Sequence, residues 1–260
     1  MNKEGISVFV TGTAGSGKTT FSIAFQNWLK SRNIDCSLVN LDPGVDIDFE
    51  FDVDIRSWID LYEVMEEYNL GPNGAQIACA DMVALHLNAI KEEVDSLNSD
   101  YIIFDTPGQT ELFSFRESSK RIVSELGTEN STIILFVYDP YITNSATLFS
   151  SVKMLAAAIE LRFGYPLFGI LSKTDLIPEE EKNRIMSRIN DNEFLYNEIL
   201  NEKGTLSKEL SINFLRSLSD LGIANTIIPV SSETLEGMEN VYAQIEDILR
   251  QGEEVDDLSQ

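Results

Sequence analysis

A glycine-rich turn between a predicted strand and a predicted helix constrains this chain more than any other feature. Residues 12–19 read Gly-Thr-Ala-Gly-Ser-Gly-Lys-Thr; they follow the apolar run Ile6–Val10 and precede apolar residues at helical spacing over Thr19–Lys30. In this context backbone N–H groups and the helix N-terminus surround phosphate groups, because glycine lets the backbone approach closely. We expect Lys18 to reach the β- and γ-phosphates of a nucleoside triphosphate, and the Thr19 hydroxyl to ligate magnesium. The predicted phosphate-binding residues are Gly12, Thr13, Ala14, Gly15, Ser16, Gly17, Lys18, Thr19 and Thr20.

Strands and helices alternate along most of the chain. Further strands are predicted at Cys36–Leu41, Tyr101–Phe104, Ile133–Tyr138, Leu167–Leu171 and Thr226–Pro229, and a closing amphipathic helix at Met238–Leu249. This alternation is typical of an α/β fold with a mainly parallel sheet and helices on both faces. We predict one domain over residues 1–252, followed by an acidic, disordered tail at 253–260. The ligand of such a sheet binds at the carboxyl ends of its strands.

Two predicted insertions add helices to this pattern. Residues 55–98 contain a helical pattern at Ile55–Tyr68, the turn Gly71-Pro72-Asn73 and a long helix that ends near Leu97. Residues 178–221 contribute no predicted strand, carry many charges and show a helical pattern broken at Gly204. We interpret the second segment as a helical insertion beside the ligand. Its sequence fits a moving lid and a fixed outer layer equally well.

The composition excludes several classes of protein. With a net charge of −24, the chain repels nucleic acid phosphates and anionic membranes, so we expect no direct nucleic acid partner and no membrane. The longest apolar run, Ile133–Tyr138, is too short to span a bilayer. The single histidine, His86, excludes a His-based metal site, and Cys36 and Cys79 lack the spacing of metal ligands. A strand that begins near the first residue leaves no room for a signal peptide, so a cytoplasmic location is expected.

Residues 105–109 read Asp-Thr-Pro-Gly-Gln directly after the predicted strand Tyr101–Phe104. An aspartate at the position of Asp105 typically holds magnesium through water, and the Gly108 N–H can donate to a γ-phosphate. Gln109 can orient an attacking water molecule because its amide both donates and accepts hydrogen bonds. Glu111 is a second candidate for positioning this water. In the alternative interpretation, Gln109 and Glu111 are solvated loop residues without a catalytic role.

The residues Ser172-Lys173-Thr174-Asp175 follow a predicted strand and indicate the choice of base. Asp175 can accept two hydrogen bonds from guanine, one from N1–H and one from the exocyclic amine at C2, whereas adenine has an acceptor at N1 and no amine at C2. A site built on such bonds rejects the wrong base by roughly 10⁴ or more. The aliphatic stem of Lys173 can lie along the face of the base. Val230, Ser231 and Ser232, at the end of the last strand, stand where a backbone N–H is expected to meet guanine O6.

The tripeptide Gly71-Pro72-Asn73, together with the phosphate loop, Asp105–Gln109 and Lys173-x-Asp175, makes the chain resemble the GPN-loop GTPases over Ile6–Leu249. The resemblance implies a three-layer P-loop NTPase fold that binds GTP or GDP with magnesium, and the hydrolysis of GTP to GDP and phosphate. Eukaryotic relatives are associated with the assembly and nuclear import of RNA polymerase, so RNA polymerase subunits are candidate clients. The length resembles that of a short, archaeal-type member. One departure is Ser172, where many GTPases carry asparagine.

The resemblance also implies a role for Asp42, which belongs to the family pattern Leu-Asp-Pro. It would lie near the metal and the γ-phosphate, and would join Thr19 and Asp105 on the metal side of the site. Its position supports this, because the carboxyl ends of neighbouring strands converge at one sheet edge. In the alternative interpretation, Asp42 only caps the turn before Pro43.

In GPN-loop GTPases the tripeptide enters the active site of a second subunit, so the resemblance implies a homodimer. Asn73 would then support hydrolysis in the partner, with Gly71 and Pro72 shaping the turn, because no arginine is evidently presented to the phosphates. Alternatively, the tripeptide is an ordinary turn in which Asn73 is the N-cap of the next helix. Arg116, the nearest arginine, fits a surface ion pair as well as a catalytic role.

Two other functions stay open at this point. The predicted catalytic residues of a GTPase are Lys18, Asp42, Asn73, Gln109 and Glu111. A small-molecule kinase with a phosphate loop would use residues 178–221 as its acceptor lid, but Thr106–Gln109 and Asp175 argue against it. A scaffold that is switched by nucleotide, and hydrolyses it only incidentally, cannot be separated from a slow GTPase by sequence.

Overall fold

A seven-stranded parallel sheet forms the centre of the molecule. In the computed structural model, which describes residues 5–109, 113–128, 130–202, 206–221 and 226–259, the strands lie in the order β3-β2-β4-β1-β5-β6-β7. Every adjacent pair is parallel. The strands are β1 Ile6–Gly12, β2 Cys36–Asn40, β3 Val53–Asp54, β4 Tyr101–Asp105, β5 Thr132–Tyr138, β6 Leu167–Leu171 and β7 Ile227–Pro229. The predicted sheet is confirmed.

Helices cover both faces of this sheet, as predicted. They are α1 Lys18–Ser31, α2 Leu61–Glu67, α3 Pro72–Ser96, α4 Glu117–Leu126, α5 Ala146–Phe163, α6 Glu179–Asn190, α7 Asn192–Asn201, α8 Leu206–Leu221 and α9 Met238–Ser259. Successive side chains of a strand point to opposite faces. Phe9 therefore belongs to the core beneath α3 and α5, where it stacks on Phe104 at a ring-centroid distance of 4.3 Å. Val8 and Val10 belong to the core beneath α1 and α9.

Most predicted strand bounds agree with the structure to within one or two residues, and three differences are larger. The two-residue edge strand β3 was not predicted, because so short a strand leaves no periodic pattern. The helical pattern predicted over Ile55–Tyr68 is wrong at its start: a 3₁₀ turn covers Ile55–Ser57, and α2 begins only at Leu61. Asp60 sets that start, because its carboxylate accepts the first free N–H groups of α2. Helix α9 extends to Ser259, so helical backbone continues well beyond the predicted end at Leu249.

The helical insertion at residues 178–221 consists of α6, α7 and α8 and packs on the domain core. Ile185, Leu195 and Ile199 are buried in the same cluster as the sheet residue Phe9. Asp191 separates α6 from α7 and caps α7, whereas Gly204, where the sequence predicts the break, lies outside the described residues. These contacts fit a fixed layer, and the choice between a lid and a layer stays a prediction.

Two sets of hydrogen bonds join the insertion to the segment that follows β5. The buried Arg188 guanidinium donates to the Glu198 carboxylate and to the carbonyl oxygen of Thr143. The Glu202 carboxylate accepts the N–H groups of Ala146 at 2.5 Å and Thr147 at 3.1 Å, which are the first two residues of α5. A carboxylate is favoured at a helix N-terminus by the free N–H groups and the helix dipole.

In the described part of the chain, no helix is both long enough and apolar enough to cross a bilayer. Cys36 and Cys79 are buried and free. Burial raises the pKa of the Cys36 thiol to about 12 and that of the Cys79 thiol to about 11. Both cysteines therefore act as small apolar core residues.

Candidate nucleotide site at the carboxyl edge of the sheet

The phosphate loop joins β1 to α1 with the expected strand–turn–helix geometry. Gly17 has φ 94°, a left-handed conformation that favours glycine. A Cβ on Gly12 would lie 2.6 Å from the carbonyl oxygen of Val137, so a larger residue would displace β5. The buried Lys18 ammonium donates to the carbonyl oxygens of Gly12 at 2.9 Å and Thr13 at 3.1 Å. It is therefore already held inside the loop.

Polar groups without partners line the loop. Asp105 at the end of β4 is fully buried, and within the described residues neither of its carboxylate oxygens has a hydrogen bond of good geometry, although the Thr19 and Ser22 hydroxyls lie close to it. Burial raises the pKa of Asp105 to about 7, against the opposing effects of the nearby Thr19 hydroxyl and Lys18 ammonium. The hydroxyls of Thr11, Thr13 and Ser16 are also buried without partners among the described residues. Buried polar groups almost always have partners, so this cluster fits a bound cation with phosphate oxygens and water.

Asp42 and Gly108 meet at the same edge. Asp42 Oδ2 accepts the Gly108 N–H at 3.1 Å, and Asp42 Oδ1 accepts the Gly44 N–H at 2.9 Å. The carbonyl oxygen of Gly108 lies 3.4 Å from Lys18 Nζ. Asp42 therefore caps its own turn, as the alternative interpretation expects, and also reaches the loop after β4, while its role beside a metal stays a prediction. The Gly108 N–H predicted for a γ-phosphate is engaged by Asp42 here.

The tripeptide opens helix α3. Gly71 is the N-cap and Pro72 occupies the first turn, so the alternative in which Asn73 is the N-cap is wrong. Asn73 is exposed, and its Oδ1 accepts a hydrogen bond from Gln109 Nε2 at 3.4 Å within the same chain. Two predicted catalytic side chains thus meet, while Glu111 lies outside the described residues.

A small cavity beside Gln109 contains a polar group that sequence reasoning missed. Its volume is about 30 Å³, room for about one water molecule. Asp42, Pro43, Gln76, Pro107, Gln109 and Phe113 are among its lining residues. Gln76 Oε1 is buried and has no hydrogen-bond partner in the described part of the chain. The available signal was a polar residue among the apolar positions of the first turns of α3.

The base-recognition segment is bonded directly to the phosphate loop. Ser172 is buried, and its hydroxyl donates to the carbonyl oxygen of Ser16 at 2.7 Å. Lys173 Nζ donates to the carbonyl oxygen of Gly15 at 2.6 Å and lies 2.7 Å from Asp139 Oδ2. Asp139 was not singled out from the sequence, because an aspartate after a strand carries no motif of its own. The serine at position 172 therefore ties the two loops together.

Among the described residues, only some of the groups that could face a base lack hydrogen bonds. Asp175 lies in a 3₁₀ turn over Thr174–Leu176, is exposed and has no hydrogen bond to the described residues, so both oxygens can accept from a ligand. The N–H of Val230 donates to Leu171 and that of Ser231 donates to Glu236. Of the three predicted N–H donors at this strand end, only that of Ser232 has no partner in the described part of the chain.

Arg116 forms a surface ion pair. Its guanidinium contacts both carboxylate oxygens of Asp81, at 2.7 and 2.8 Å. The ion-pair interpretation of Arg116 is therefore favoured over a catalytic one. Among the other residues of this stretch, Phe113 is buried and Phe115 is half exposed.

Comparison with known proteins extends the likeness over nearly the whole chain. The family model described as "Conserved hypothetical ATP binding protein" matches residues 10–251. GPN-loop GTPase 3 of Eremothecium gossypii is 31% identical over 255 residues, covering 95% of this chain and 93% of the relative. A GPN-loop GTPase of Pyrococcus abyssi is 32% identical over 245 residues, covering 91% and 94%. The crystal structure of a GTPase in apo form from Pyrococcus abyssi has a TM-score of 0.84 and 29% identity, covering 93% of this chain and 96% of that one.

Proposed function

Because this chain belongs to the GPN-loop GTPase family, its reaction is the hydrolysis of GTP, and we propose that Lys18, Asp42 and Gln109 act on the γ-phosphate and its attacking water. The observation that carries this proposal is the junction at Gly108. Its N–H donates to Asp42 and its carbonyl oxygen accepts from Lys18. The end of β2, the phosphate loop and the loop after β4 therefore meet within hydrogen-bond distance of one residue.

Magnesium fits the residues of this site. Oxygen ligands are what magnesium requires, and it usually keeps several waters and phosphate oxygens. The buried Asp105 carboxylate, which lacks a hydrogen bond of good geometry within the described residues, supports a cation at this position. Thr19 would ligate the ion directly, while Asp105 and Asp42 would hold it through water. When bound, the ion supplies positive charge that offsets the charge of the phosphates.

The protein's own groups would perform the rest of the reaction. Lys18 would turn from the carbonyl oxygens of the loop toward the β- and γ-phosphates, where its charge stabilises the transferred group. Gln109 would hold the attacking water in line, because its amide can donate to and accept from that water. Asp42 would accept a hydrogen bond from the same water. Glu111 belongs to this proposal as a second water-positioning carboxylate.

Asp175 supports guanine as the base. The description of the matching family model mentions ATP binding, whereas the similar relatives are named GTPases. An exposed carboxylate with two free oxygens fits the adjacent N1–H and C2 amine of guanine, whereas adenine has an acceptor at N1 and no amine at C2. Lys173 would lie along the base, and Ser232 offers a free N–H for guanine O6.

The proposal includes a homodimer in which Asn73 reaches the partner's site. The tripeptide is fully on the surface. Gly71 has φ −73°, and a Cβ there would meet no atom of the described residues within 4 Å, so this part of the fold does not require glycine. A glycine without an internal reason supports close approach by another molecule. The Asn73–Gln109 contact supports the competing arrangement, in which Asn73 acts within its own chain.

Apolar side chains near the tripeptide support this interface. Ile77 and Leu85 lie two turns apart on α3 and are 38% and 81% exposed, and Phe115 is 49% exposed. The Arg116–Asp81 ion pair joins the segment that carries Phe115 to α3, between Ile77 and Leu85. An apolar surface with a charged pair is typical of the contact between two subunits. In an isologous dimer, the same surface would be buried on both copies.

The cellular role is the most distant part of the proposal. The resemblance suggests assembly of protein complexes such as RNA polymerase, and a net charge of −24 fits clients with basic surfaces. A cytoplasmic location is supported by Cys36 and Cys79, which are free thiols.

Phosphate release from GTP and ATP by the purified protein tests the proposal. We expect release from GTP that needs magnesium and far less release from ATP. Lys18→Ala is the matched control, because it removes the central phosphate contact and exposes any contaminating enzyme. GTP turnover no faster than this control would overturn the proposal. GDP formation that depends on an acceptor, without phosphate release, would identify a kinase, and turnover only in the presence of cell extract would favour a switched scaffold.

A further inference from the structure

An ion pair beside the base-recognition segment has no part in the proposed hydrolysis. Asp139 is the first residue after β5, and its Oδ2 lies 2.7 Å from Lys173 Nζ. The Asp139 side chain is 9% exposed and that of Lys173 is 29% exposed. Asp139 Oδ1 accepts the N–H of Tyr141 at 2.8 Å. Both oxygens of this carboxylate are therefore used, and its own loop fixes its orientation.

The backbone, the aliphatic stem and the ammonium of Lys173 are each constrained. Its backbone has φ 55° and ψ 33°, a left-handed conformation that is uncommon outside glycine. Its ammonium also donates to the carbonyl oxygen of Gly15 in the phosphate loop. A Cβ on Gly17 would lie 3.6 Å from Lys173 Cε, so the stem passes directly over that loop. The lysine thus bridges the base side and the phosphate side of the site.

A lysine stem has many rotamers, and ordering it opposes binding. The Gly15 carbonyl alone is a neutral acceptor. Asp139 adds a charged acceptor on a fixed carboxylate, and charge-assisted hydrogen bonds are roughly twice as strong as neutral ones. The pair therefore orders the stem before any nucleotide arrives, which lowers the cost of binding.

We propose that Asp139 is a positioning residue for the nucleotide: it anchors the Lys173 ammonium against the phosphate loop, so that the aliphatic stem lies flat for the guanine base. This inference rests on the proposed function, in which Lys173 and Asp175 receive guanine. Asp139 itself does not touch the nucleotide. Because GTP and GDP carry the same base, Asp139 contributes equally to the binding of both.

A merely structural role for Asp139 gives a different expectation. In that case the carboxylate would serve its own loop through Tyr141, and its removal would weaken binding whether or not Lys173 is present. The two roles are separated by a double-mutant cycle, which measures coupling between side chains in contact.

The cycle compares the parent protein with Asp139→Asn, Lys173→Met and the double variant, by calorimetric titration with GDP and with a non-hydrolysable GTP analogue in the presence of magnesium. We expect Asp139→Asn to weaken both nucleotides by about tenfold, a typical coupling for a charged pair in contact. KM for GTP should rise by a similar factor while kcat stays near the parental value. The double variant should bind no more weakly than Lys173→Met. Losses that multiply in the double variant would overturn the inference.

The single variants keep this inference distinct from the proposed function. Parental binding by Lys173→Met would overturn the inference, because methionine keeps an apolar stem for the base and loses only the anchored ammonium; the proposed base site itself is tested by Asp175→Asn. Weak binding by Lys173→Met with parental binding by Asp139→Asn would overturn only the role of Asp139. Glu246→Gln is the matched control, because it makes the same change on a carboxylate bonded to Tyr101 at the amino end of β4, and it should bind as the parent does.

Asp139→Glu decides the case in which Asp139→Asn does not fold. It keeps the charge but displaces the carboxylate by one methylene, so the anchored position of the ammonium shifts. With a parental melting temperature, weaker binding of GDP by this variant supports the inference, and parental binding of GDP overturns it.

Discussion

Asp42 accepts the backbone N–H of Gly108 across a gap of 66 residues in sequence, at a distance of 3.1 Å. In the proposed site, a γ-phosphate would use the same donor. We expect GDP, which has no γ-phosphate, to leave the bond intact, and GTP to compete with Asp42 for the Gly108 N–H. The third phosphate would then select between two acceptors for the loop after β4.

The amide resonance of Gly108 should report this exchange. We expect its chemical shift with GDP and magnesium to match that of the nucleotide-free protein, and to move when a non-hydrolysable GTP analogue binds. The physical reason is the change of acceptor from the Asp42 carboxylate to phosphate oxygen. A Gly108 shift that is the same with both nucleotides would contradict the competition.

Gln109→Leu should slow hydrolysis on the order of 10² or more and leave nucleotide binding near the parental value, because leucine can neither donate to nor accept from the attacking water. Single-turnover phosphate release measures the rate, and titration with GDP measures the affinity. Gln251→Leu makes the same change on α9, far from the sheet edge, and should hydrolyse GTP as the parent does. If Gln109→Leu also hydrolyses GTP at the parental rate, Asp42 or Glu111 positions the water instead.

Asp175→Asn should weaken GTP binding by about 2–3 kcal/mol, because an amide nitrogen presents a donor to guanine N1–H in place of an acceptor. Competition with labelled GDP measures this change, and Asp247→Asn on α9 is the control with the same loss of charge. Equal affinity of the parent protein for ATP and GTP, or unchanged GTP binding by Asp175→Asn, would refute guanine recognition by this residue.

Asn73→Ala should reduce hydrolysis without much loss of GTP affinity in the dimer. Mixing it with Lys18→Ala subunits separates the two arrangements of Asn73. In a mixed dimer, one site has an intact phosphate loop and receives Asn73 from the other subunit, so activity should partly recover. Subunits that demonstrably exchange without any recovery would place the action of Asn73 within its own chain, where it contacts Gln109.

Glu202→Gln should lower the free energy of unfolding by about 1 kcal/mol at neutral pH, because it weakens the bonds to the first N–H groups of α5. Burial opposes ionisation of Glu202, but its hydrogen bonds with Thr147, Ala146 and Ser145 lower its pKa overall. A lowered pKa stabilises the fold above the pKa of the unfolded chain, about 4.3, and this stabilisation is lost as pH falls through the folded value.

The difference between parent and Glu202→Gln should therefore shrink below about pH 4. Urea unfolding at several pH values measures it. Glu92→Gln, an exposed position on α3, is the control and should show little difference at any pH. If the difference in the free energy of unfolding between the parent and Glu202→Gln stays constant down to pH 3, the charge of Glu202 does not contribute to stability.

The buried strands and the placement of the motifs could be predicted because both are local. A run such as Leu167–Leu171 is apolar at every position, as a strand covered on both faces must be, and its predicted bounds match β6. Asp42, Asp105 and Asp175 were correctly expected at one edge, because parallel strands all end on the same side.

The bonds between those motifs could not be predicted. Asp139–Lys173 and Ser172–Ser16 join residues that are 34 and 156 positions apart, and neither partner carries a local signal for the other. Their distances depend on the register and twist of the sheet, which periodicity does not give. The start of α2 was missed for another reason: the capping of Asp60 overrides a helical pattern that begins earlier.

The central position of β1 in the sheet has a consequence for folding during translation. Ile6 pairs with Tyr101 and Ser7 pairs with Thr132, so both neighbours of this strand are synthesised long after it. At a translation rate of roughly 5–20 residues per second, several seconds pass between the synthesis of the apolar strand β1 and that of its partner strands β4 and β5. Contacts so distant in sequence also form slowly. Because the proposed base contacts follow β6 and β7, GTP can stabilise only molecules whose translation has passed β7.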